Sequence, residues 1–187
     1  MMYLIFLFLI IPGMGIADDY SLDRDISREM VKFTTDNSLD NILEGITSMG
    51  DNRSIMGYSL LLMSLGNDSL ADTGKLTFFS FLASQTLTGI LKYSVNWDRP
   101  YGESESRFDS SFPSGHTSGT FAFVSVIGYH YPKYRVPLYL FATMIGLTRI
   151  ALNEHYPSDV LAGASIGIIS GLGVCKYRTR LIEFRFF

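Results

Sequence analysis

The chain has 187 residues, of which 47% are hydrophobic and 18% are charged, and its formal net charge at pH 7 is −3. This length predicts one domain, and the slightly negative balance gives no sign of nucleic-acid binding. Cys175 is the only cysteine in the sequence, so no intrachain disulfide can form.

Residues 1–17 begin with an almost wholly apolar stretch and end in small residues. Gly15 and Ala17 resemble a signal-peptidase site, although no Lys or Arg precedes the apolar stretch. We expect a cleaved signal peptide here, with an uncleaved N-terminal membrane anchor as the alternative. Either segment directs residues 18–187, which we expect to form a single domain, to the membrane or across it.

Residues 18–53 are rich in Asp and Glu, which keeps them out of the hydrocarbon of a bilayer. Apolar residues recur at helical spacing at Ile26, Met30 and Phe33, and again over residues 39–49. The pattern predicts two amphipathic helices, which either pack on the body of the protein or lie at the membrane surface. We expect a packed apolar face.

Five apolar runs fill most of residues 54–175, and no strand-like alternation persists. They cover residues 54–65, 76–93, 117–131, 136–152 and 159–174. The fold class is therefore predicted to be all-α, a helical bundle. In the last run, Gly163, Gly167 and Gly171 recur every four residues, which favours the close helix packing found in membranes. Each run is shorter than the ~20 residues that cross a bilayer, so a soluble bundle is the alternative to a membrane-embedded one.

Three short motifs stand at the ends of these runs. They are Lys92-x6-Arg99-Pro100, Pro113-Ser114-Gly115-His116 and Arg149-x5-His155-x3-Asp159. The first motif alone is weak, because a capped helix end followed by proline would look the same. Pro-Ser-Gly-His is expected by chance on the order of once in a thousand chains of this length. All three in order make coincidence a poor explanation.

The cations of these motifs suit a phosphate group. Arg99 and Arg149 can each grip phosphate oxygens with a planar fork, and Lys92 adds a point charge. Ser114 can donate its hydroxyl, and Gly115 permits close approach to the free N–H groups at a helix start. Because no carboxylate or cysteine cluster suggests a metal, we expect phosphoryl transfer with no metal or other cofactor.

The two motif histidines suit covalent catalysis. His155 and Asp159 lie one helical turn apart, and Pro157 between them suits a helix start. A carboxylate bonded to one imidazole nitrogen leaves the other free to attack, so His155 is the candidate nucleophile and would form a phosphohistidine. His116 is the candidate acid for the leaving oxygen and then the base that activates water.

Basic residues follow two of the apolar runs, the third and the fifth. Lys133 and Arg135 lie in the turn between two runs. Four more follow the last run: Lys176, Arg178, Arg180 and Arg185. If the runs span a membrane, the positive-inside rule places both clusters in the cytoplasm and the motifs outside. We therefore expect a membrane-embedded bundle whose site faces away from the cytoplasm. In the alternative, these residues only cap helix C-termini.

Together the motifs resemble the signature of the type-2 phosphatidic acid phosphatase and vanadium haloperoxidase superfamily, over about residues 75–175. By this likeness the phosphate-binding residues are Lys92, Arg99, Ser114, Gly115 and Arg149, the general acid is His116, the nucleophile is His155 and its partner is Asp159. Thr148 stands where the family usually has serine, and the hydroxyl is kept. Segments 112–117 and 158–163 look more like bacterial lipid-phosphate phosphatases than soluble acid phosphatases.

The resemblance leaves three functions open. The first is a membrane phosphatase acting on lipid phosphates, as a phosphomonoesterase or a pyrophosphatase. The second is a secreted, soluble periplasmic acid phosphatase. The third is a vanadate-dependent haloperoxidase, against which the short chain argues. We expect the first, with a lipid phosphate and the membrane as partners and no nucleic acid. The resemblance then implies a location in the bacterial inner membrane, with the active site facing the periplasm.

Overall fold

The computed structural model describes residues 19–36, 39–65, 67–102 and 106–182. Over these residues the chain forms eight α-helices and two short 3-10 helices, with no strand. The α-helices are α1 (Asp19–Asp36), α2 (Asp40–Ser48), α3 (Asn52–Leu65), α4 (Asp68–Val95), α5 (Gly115–His130), α6 (Arg135–Ala151), α7 (Pro157–Lys176) and α8 (Arg178–Ile182). The all-α prediction is confirmed, and the five apolar runs correspond to α3–α7. The predicted signal or anchor at residues 1–17 lies outside the described residues.

Helices α5 and α7 pack against each other at the centre of the bundle. A Cβ atom on Gly163 would stand 2.6 Å from the carbonyl oxygen of Ser114, and one on Gly167 would stand 2.4 Å from that of Ser118. Any side chain at these positions would push the two backbones apart. The predicted close approach along the glycine repeat of α7 is therefore confirmed.

The interior of the bundle is lined by small hydroxyl residues. They include Ser59, Thr73, Thr77, Ser80, Ser84, Thr88, Ser118, Thr120 and Ser125. Some join neighbouring helices: the Ser80 hydroxyl donates to the carbonyl of Ala122 (3.0 Å), and the Thr88 and Ser118 hydroxyls share a hydrogen bond (2.9 Å). Apolar periodicity in the sequence does not predict this polar interior.

Large apolar side chains point outward from the same helices. Those exposed on α3, α4, α6 and α7 include Leu60, Leu61, Leu82, Leu87, Ile90, Val136, Leu140, Leu147, Leu161, Ile169 and Leu172. Small polar residues inside and large apolar residues outside are typical of helices that pack in lipid. By length and composition, α7 is the one described helix that meets the criteria for a membrane-crossing helix.

The chain runs up and down, so α4 and α6 finish where α5 and α7 begin. We call this the motif end of the bundle. Leu76, Val126 and Cys175 pack together at the opposite end, where α4 starts and α5 and α7 finish. The turn with Lys133 and the end of α7 also lie there. The predicted separation of these basic residues from the motifs is confirmed for the described part of the chain.

The N-terminal helices α1 and α2 dock at the motif end through polar contacts. The carboxylate of Asp23 accepts hydrogen bonds from the N–H (3.1 Å) and the hydroxyl of Ser158 at the start of α7. The hydroxyl of Thr34 donates to the carbonyl of Ala151 at the end of α6 (3.1 Å). These side chains satisfy N–H and C=O groups that a helix end leaves free.

The apolar faces of α1 and α2 pack only in part. Ile26, Phe33, Ile42 and Met49 are exposed, Phe33 by 63%, whereas Met30, Leu43 and Ile46 are half-buried. The fully buried side chains among the described residues of these helices are Ser27, Thr34 and Thr47. The prediction of a packed apolar face is therefore wrong at the four exposed positions. The reason is that the helix ends beneath them present polar groups, which polar side chains satisfy better than apolar ones.

Candidate active site

The loop from α4 to α5 folds back on itself beside Lys92. Asn96 ends α4 in the left-handed conformation (φ 53°), and its N–H donates to the carbonyl of Lys92 (3.0 Å). The Lys92 ammonium donates to the carbonyl of Ser110. Trp97 connects the start of the loop to its end. Its N–H donates to the Ser110 hydroxyl (2.8 Å), and its carbonyl accepts from the N–H of Ser111 (2.8 Å). Lys92 is thereby held against the segment that enters α5.

Arg99 is held by groups from two different loops. Its Nε donates to the Asp109 carbonyl (3.1 Å), and its Nη2 lies 3.0 Å from Asp109 Oδ1. Its Nη1 lies 2.8 Å from Glu154 Oε2 and donates to the Glu154 carbonyl (3.2 Å). The side chain of Arg99 is 12% exposed. The guanidinium is thus fixed at the rim of the motif end.

Arg149 approaches the same carboxylate from the last turn of α6. Its Nη2 lies 3.3 Å from Glu154 Oε2, and its Nη1 donates to the hydroxyl of Thr47 in α2 (3.3 Å). The two guanidinium groups predicted to bind phosphate therefore share one carboxylate oxygen. A buried Nε of Arg149 has no hydrogen-bond partner among the described residues.

The turn after α6 explains why Glu154 reaches back to Arg149. Asn153 adopts the left-handed conformation (φ 60°), its N–H donates to the carbonyl of Ile150 (3.0 Å), and the N–H of Glu154 donates to the carbonyl of Arg149 (3.0 Å). This pair of bonds is the Schellman motif, which reverses the chain over the last helical turn. The next residue, His155, also donates its N–H to the carbonyl of Arg149 (3.2 Å).

His155 and Asp159 meet in a fully enclosed position. The Nδ1 of His155 lies 3.5 Å from Asp159 Oδ2, and that oxygen also accepts from the N–H of Tyr156 (2.8 Å) and from the hydroxyl of Ser111. Ser111 Oγ lies 3.5 Å from the same Nδ1. Asp159 stands in the first turn of α7, which Pro157 begins, as predicted. Asp159 therefore both caps α7 and faces the imidazole.

Burial decides the charge of His155. Its side chain is 2% exposed, and burial lowers its pKa to about 4 against the opposing effect of the Asp159 carboxylate. The positive charges of Lys92 and Arg99 lower the pKa further. The imidazole is therefore neutral at pH 7, which is the form that can act as a nucleophile.

The first turn of α5 lies beside this pair. Ser114 is fully buried, its N–H donates to the carbonyl of Asp159 (3.0 Å), and its hydroxyl accepts from that of Thr117 (3.0 Å). Over the described part of the chain, the N–H groups of Gly115, His116 and Thr117 have no hydrogen-bond partner. Such N–H groups at a helix start attract an anion.

Gly115 and His116 complete the group. The nearest protein atom to a Cβ placed on Gly115 would be Gln85 Oε1 at 3.6 Å, so protein packing does not itself require glycine there. His116 is half-buried and lies within electrostatic reach of Arg149 and His155. The structure therefore brings all eight residues singled out from the sequence to the motif end.

Four further residues of this site were missed by the sequence analysis. Asp109 and Glu154 hold the arginines, Ser111 holds Asp159, and Thr47 contacts Arg149. Glu154 lies inside the third motif and could have been noticed there, whereas Thr47 is 102 residues from its partner and carries no local signal. Among the described residues, no three His, Cys, Asp or Glu side chains are grouped as metal ligands.

The comparison with protein families agrees with this arrangement. Residues 74–183, more than half of the chain, match the family model of the PAP2 superfamily. The chain belongs to the PAP2 superfamily. The resemblance inferred from the three motifs is thereby confirmed.

Individual PAP2 proteins are similar to different extents. A lipid A 1-phosphatase of Rhizobium johnstonii is 36% identical over 106 residues, which are 50% of this chain and 43% of that relative. Phosphatidylglycerophosphatase B of Bacillus subtilis is 26% identical over 97% of this chain and 96% of its own length. The first of these matches therefore spans less than half of the relative.

A solved structure has the same fold. The crystal structure of a transmembrane PAP2-type phosphatidylglycerolphosphate phosphatase from Bacillus subtilis aligns with a TM-score of 0.77 and 23% identity. The alignment covers 98% of this chain and 96% of that one. At this identity the likeness establishes the shared helical architecture.

Proposed function

We propose that the protein is a metal-independent phosphatase that acts on lipid phosphates through a phosphohistidine on His155. The observation that carries the proposal is the enclosed pair formed by the neutral imidazole of His155 and the side chain of Asp159. The side chains of Lys92, Arg99 and Arg149 lie at the same end of the bundle. A nucleophile with adjacent cations is what phosphoryl transfer without a metal requires.

In the first step, His155 Nε2 attacks phosphorus while Asp159 accepts a hydrogen bond from the opposite ring nitrogen. The bond between phosphorus and the leaving oxygen breaks, and His116 gives its proton to that oxygen. Lys92 and the two arginines neutralise the charge on the other phosphate oxygens, as do the free N–H groups that begin α5.

In the second step, water hydrolyses the phosphohistidine. His116, now unprotonated, takes a proton from water, whose oxygen forms a bond to phosphorus while the bond to His155 Nε2 breaks. Inorganic phosphate leaves, and His116 again carries the proton that the next substrate needs. Each turnover therefore consumes one water and returns both histidines to their starting protonation states.

The outward apolar face of the helices supports a lipid substrate and a membrane-embedded bundle. The names of the relatives, which act on lipid A and on phosphatidylglycerol phosphate, point the same way. Lys133, Arg135, Lys176 and Arg178 at the opposite end favour a cytoplasmic location for that end. The site then faces the periplasm near the headgroup level, where a lipid phosphate can enter with its tails in the bilayer.

A phosphate-release panel tests this function. Detergent-purified protein is given phosphatidate, phosphatidylglycerol phosphate, an isoprenyl pyrophosphate and a lipid A phosphate. We expect release from at least one lipid and none from the His155→Ala variant, and circular dichroism checks that the variant keeps its helices. Release from soluble monoesters alone would favour the secreted acid phosphatase. More than a few per cent of wild-type release by His155→Ala would remove His155 as the nucleophile.

A further inference from the structure

The Glu154 carboxylate lies between the two arginines assigned to phosphate, and the proposed mechanism gives it no task. Its Oε2 is 2.8 Å from Arg99 Nη1 and 3.3 Å from Arg149 Nη2. One oxygen thus accepts a hydrogen bond from Arg99 and forms an ion pair with Arg149, as an oxygen of a bound phosphate could. The carboxylate therefore stands where the ligand of these arginines is expected.

The side chain of Glu154 can leave this position while its backbone stays. Its N–H is bonded to the carbonyl of Arg149 in the Schellman motif, and its carbonyl accepts from Arg99 Nη1 (3.2 Å). Its side chain is 33% exposed, whereas those of Arg99 and Arg149 are 12% and 10% exposed. Rotation about the side-chain bonds of Glu154 is enough to carry the carboxylate into water.

The arginines have other partners that hold them in place. Arg99 is bonded twice to Asp109, through Nε to the carbonyl and through Nη2 to the carboxylate. Arg149 donates to Thr47. Departure of the Glu154 carboxylate therefore leaves both guanidinium groups positioned. It frees one N–H group of Arg99 and the ion-pair position of Arg149 for a new anion.

We propose that the Glu154 carboxylate takes the place of a substrate phosphate oxygen between Arg99 and Arg149, and that the phosphate displaces it on binding. This inference rests on the proposed function, because it needs these arginines to bind phosphate. Every ligand then competes with an internal anion, so its apparent affinity is reduced by the fraction of molecules in which the carboxylate has moved away. A dianionic phosphate has more charge and more oxygens than a carboxylate, so the competition favours monoesters and terminal phosphates over monoanionic diesters.

Binding of orthovanadate and of inorganic phosphate tests the displacement without any turnover. Trp97, the only tryptophan, is bonded to Ser110 and Ser111 in the loop beside Lys92 and serves as a fluorescent reporter. Isothermal titration calorimetry of the same full-length protein in detergent supplies an independent Kd. We expect Glu154→Gln to bind both anions about tenfold more tightly than the wild type, because the neutral amide competes poorly for two guanidinium groups.

Asp51 provides the matched control for the loss of one negative charge. It lies within electrostatic reach of Arg149, but its carboxylate accepts from the N–H of Arg53 (3.3 Å) and forms no ion pair among the described residues. Asp51→Asn should therefore change the Kd by less than about threefold. An equal increase in anion affinity in both variants would show a general effect of the lost negative charge. An unchanged or weaker anion affinity of Glu154→Gln would show that Glu154 only positions the arginines. Either result overturns displacement.

The same measurements separate this inference from the proposed function. If Glu154→Gln binds anions more tightly while no lipid phosphate is hydrolysed, displacement stands and the lipid phosphatase proposal fails. If lipid phosphates are hydrolysed while Glu154→Gln shows no tighter binding, the lipid phosphatase proposal stands and displacement fails. If no variant binds either anion by calorimetry, the displacement is overturned together with the phosphate site that it assumes.

Discussion

The depressed pKa of His155 makes the stability of the protein depend on pH in a defined window. The group is neutral in the folded state down to about pH 4, whereas the unfolded chain protonates it near its ordinary pKa of about 6.5. Between these values the unfolded state binds more protons, so the free energy of unfolding falls as the pH falls. The effect is absent above pH 7 and complete below about pH 4.

The magnitude follows from the two pKa values. Between pH 7 and pH 5, His155 alone removes about 2 kcal/mol from the free energy of unfolding. For a chain of this size, that corresponds to a decrease in Tm of roughly 4–8 °C. His155→Gln lacks the titrating group, so the pH dependence of its Tm should be smaller than that of the wild type by this amount.

Thermal unfolding followed by circular dichroism in detergent measures the difference. Each protein is compared with itself at pH 7 and pH 5, so a change in stability that the substitution causes at both pH values cancels. Ionisable groups that lie far from residue 155 contribute equally to both proteins. An identical pH dependence of Tm in the wild type and His155→Gln would refute the buried, neutral imidazole on which the nucleophile assignment depends.

Two further predictions concern the chemistry. His116→Ala should still form the phosphoenzyme from a substrate with a good leaving group but should block its hydrolysis, because the base that activates water is gone; acid quenching with labelled substrate that traps no phosphohistidine would count against the assignment. Activity should survive EDTA and be inhibited by vanadate, whose trigonal-bipyramidal form resembles the transition state; loss of activity in EDTA that magnesium or zinc restores would contradict a metal-free mechanism.

The helices and the motif residues could be predicted because they depend on local sequence patterns. Apolar runs indicated α3–α7, and Pro157 with Asp159 indicated the start of α7, because helix propensity and capping act over a few residues. Asn96 and Asn153 adopt the left-handed conformation at the ends of the helices that carry Lys92 and Arg149. Asparagine is common at such positions, so these helix ends were also predictable from the local sequence.

The remaining features depend on contacts that are distant in sequence. Thr47 reaches Arg149 from another helix, and Asp23 caps α7 across 135 residues. Apolar periodicity assigned Phe33 to a packed face, yet the surface beneath α1 consists of helix ends whose free groups select polar partners. Periodicity identifies which residues share a face of a helix, but only the partner determines which face is buried.

The direction in which the site faces is the last prediction, and it follows from the two ends of the bundle. Ser106 is exposed in the loop before α5 at the motif end, whereas Thr179 is exposed in α8, after the basic end of α7. If the helices span the inner membrane as the positive-inside rule suggests, these positions lie on opposite sides. Cys175 is buried, at 2% exposure, so the native thiol should not react with a reagent in solution.

Cysteine labelling in intact spheroplasts tests this orientation. An impermeant maleimide should modify Ser106→Cys and leave Thr179→Cys unmodified, and permeabilised cells should allow both to react, which controls for intrinsic reactivity. Labelling of Thr179→Cys alone in intact spheroplasts would show the opposite orientation, with the basic end of the bundle facing the periplasm. Alkaline carbonate washing distinguishes a membrane-embedded phosphatase from a secreted one. A bundle with this apolar exterior should stay with the membranes, whereas release into the soluble periplasmic fraction would favour the secreted acid phosphatase.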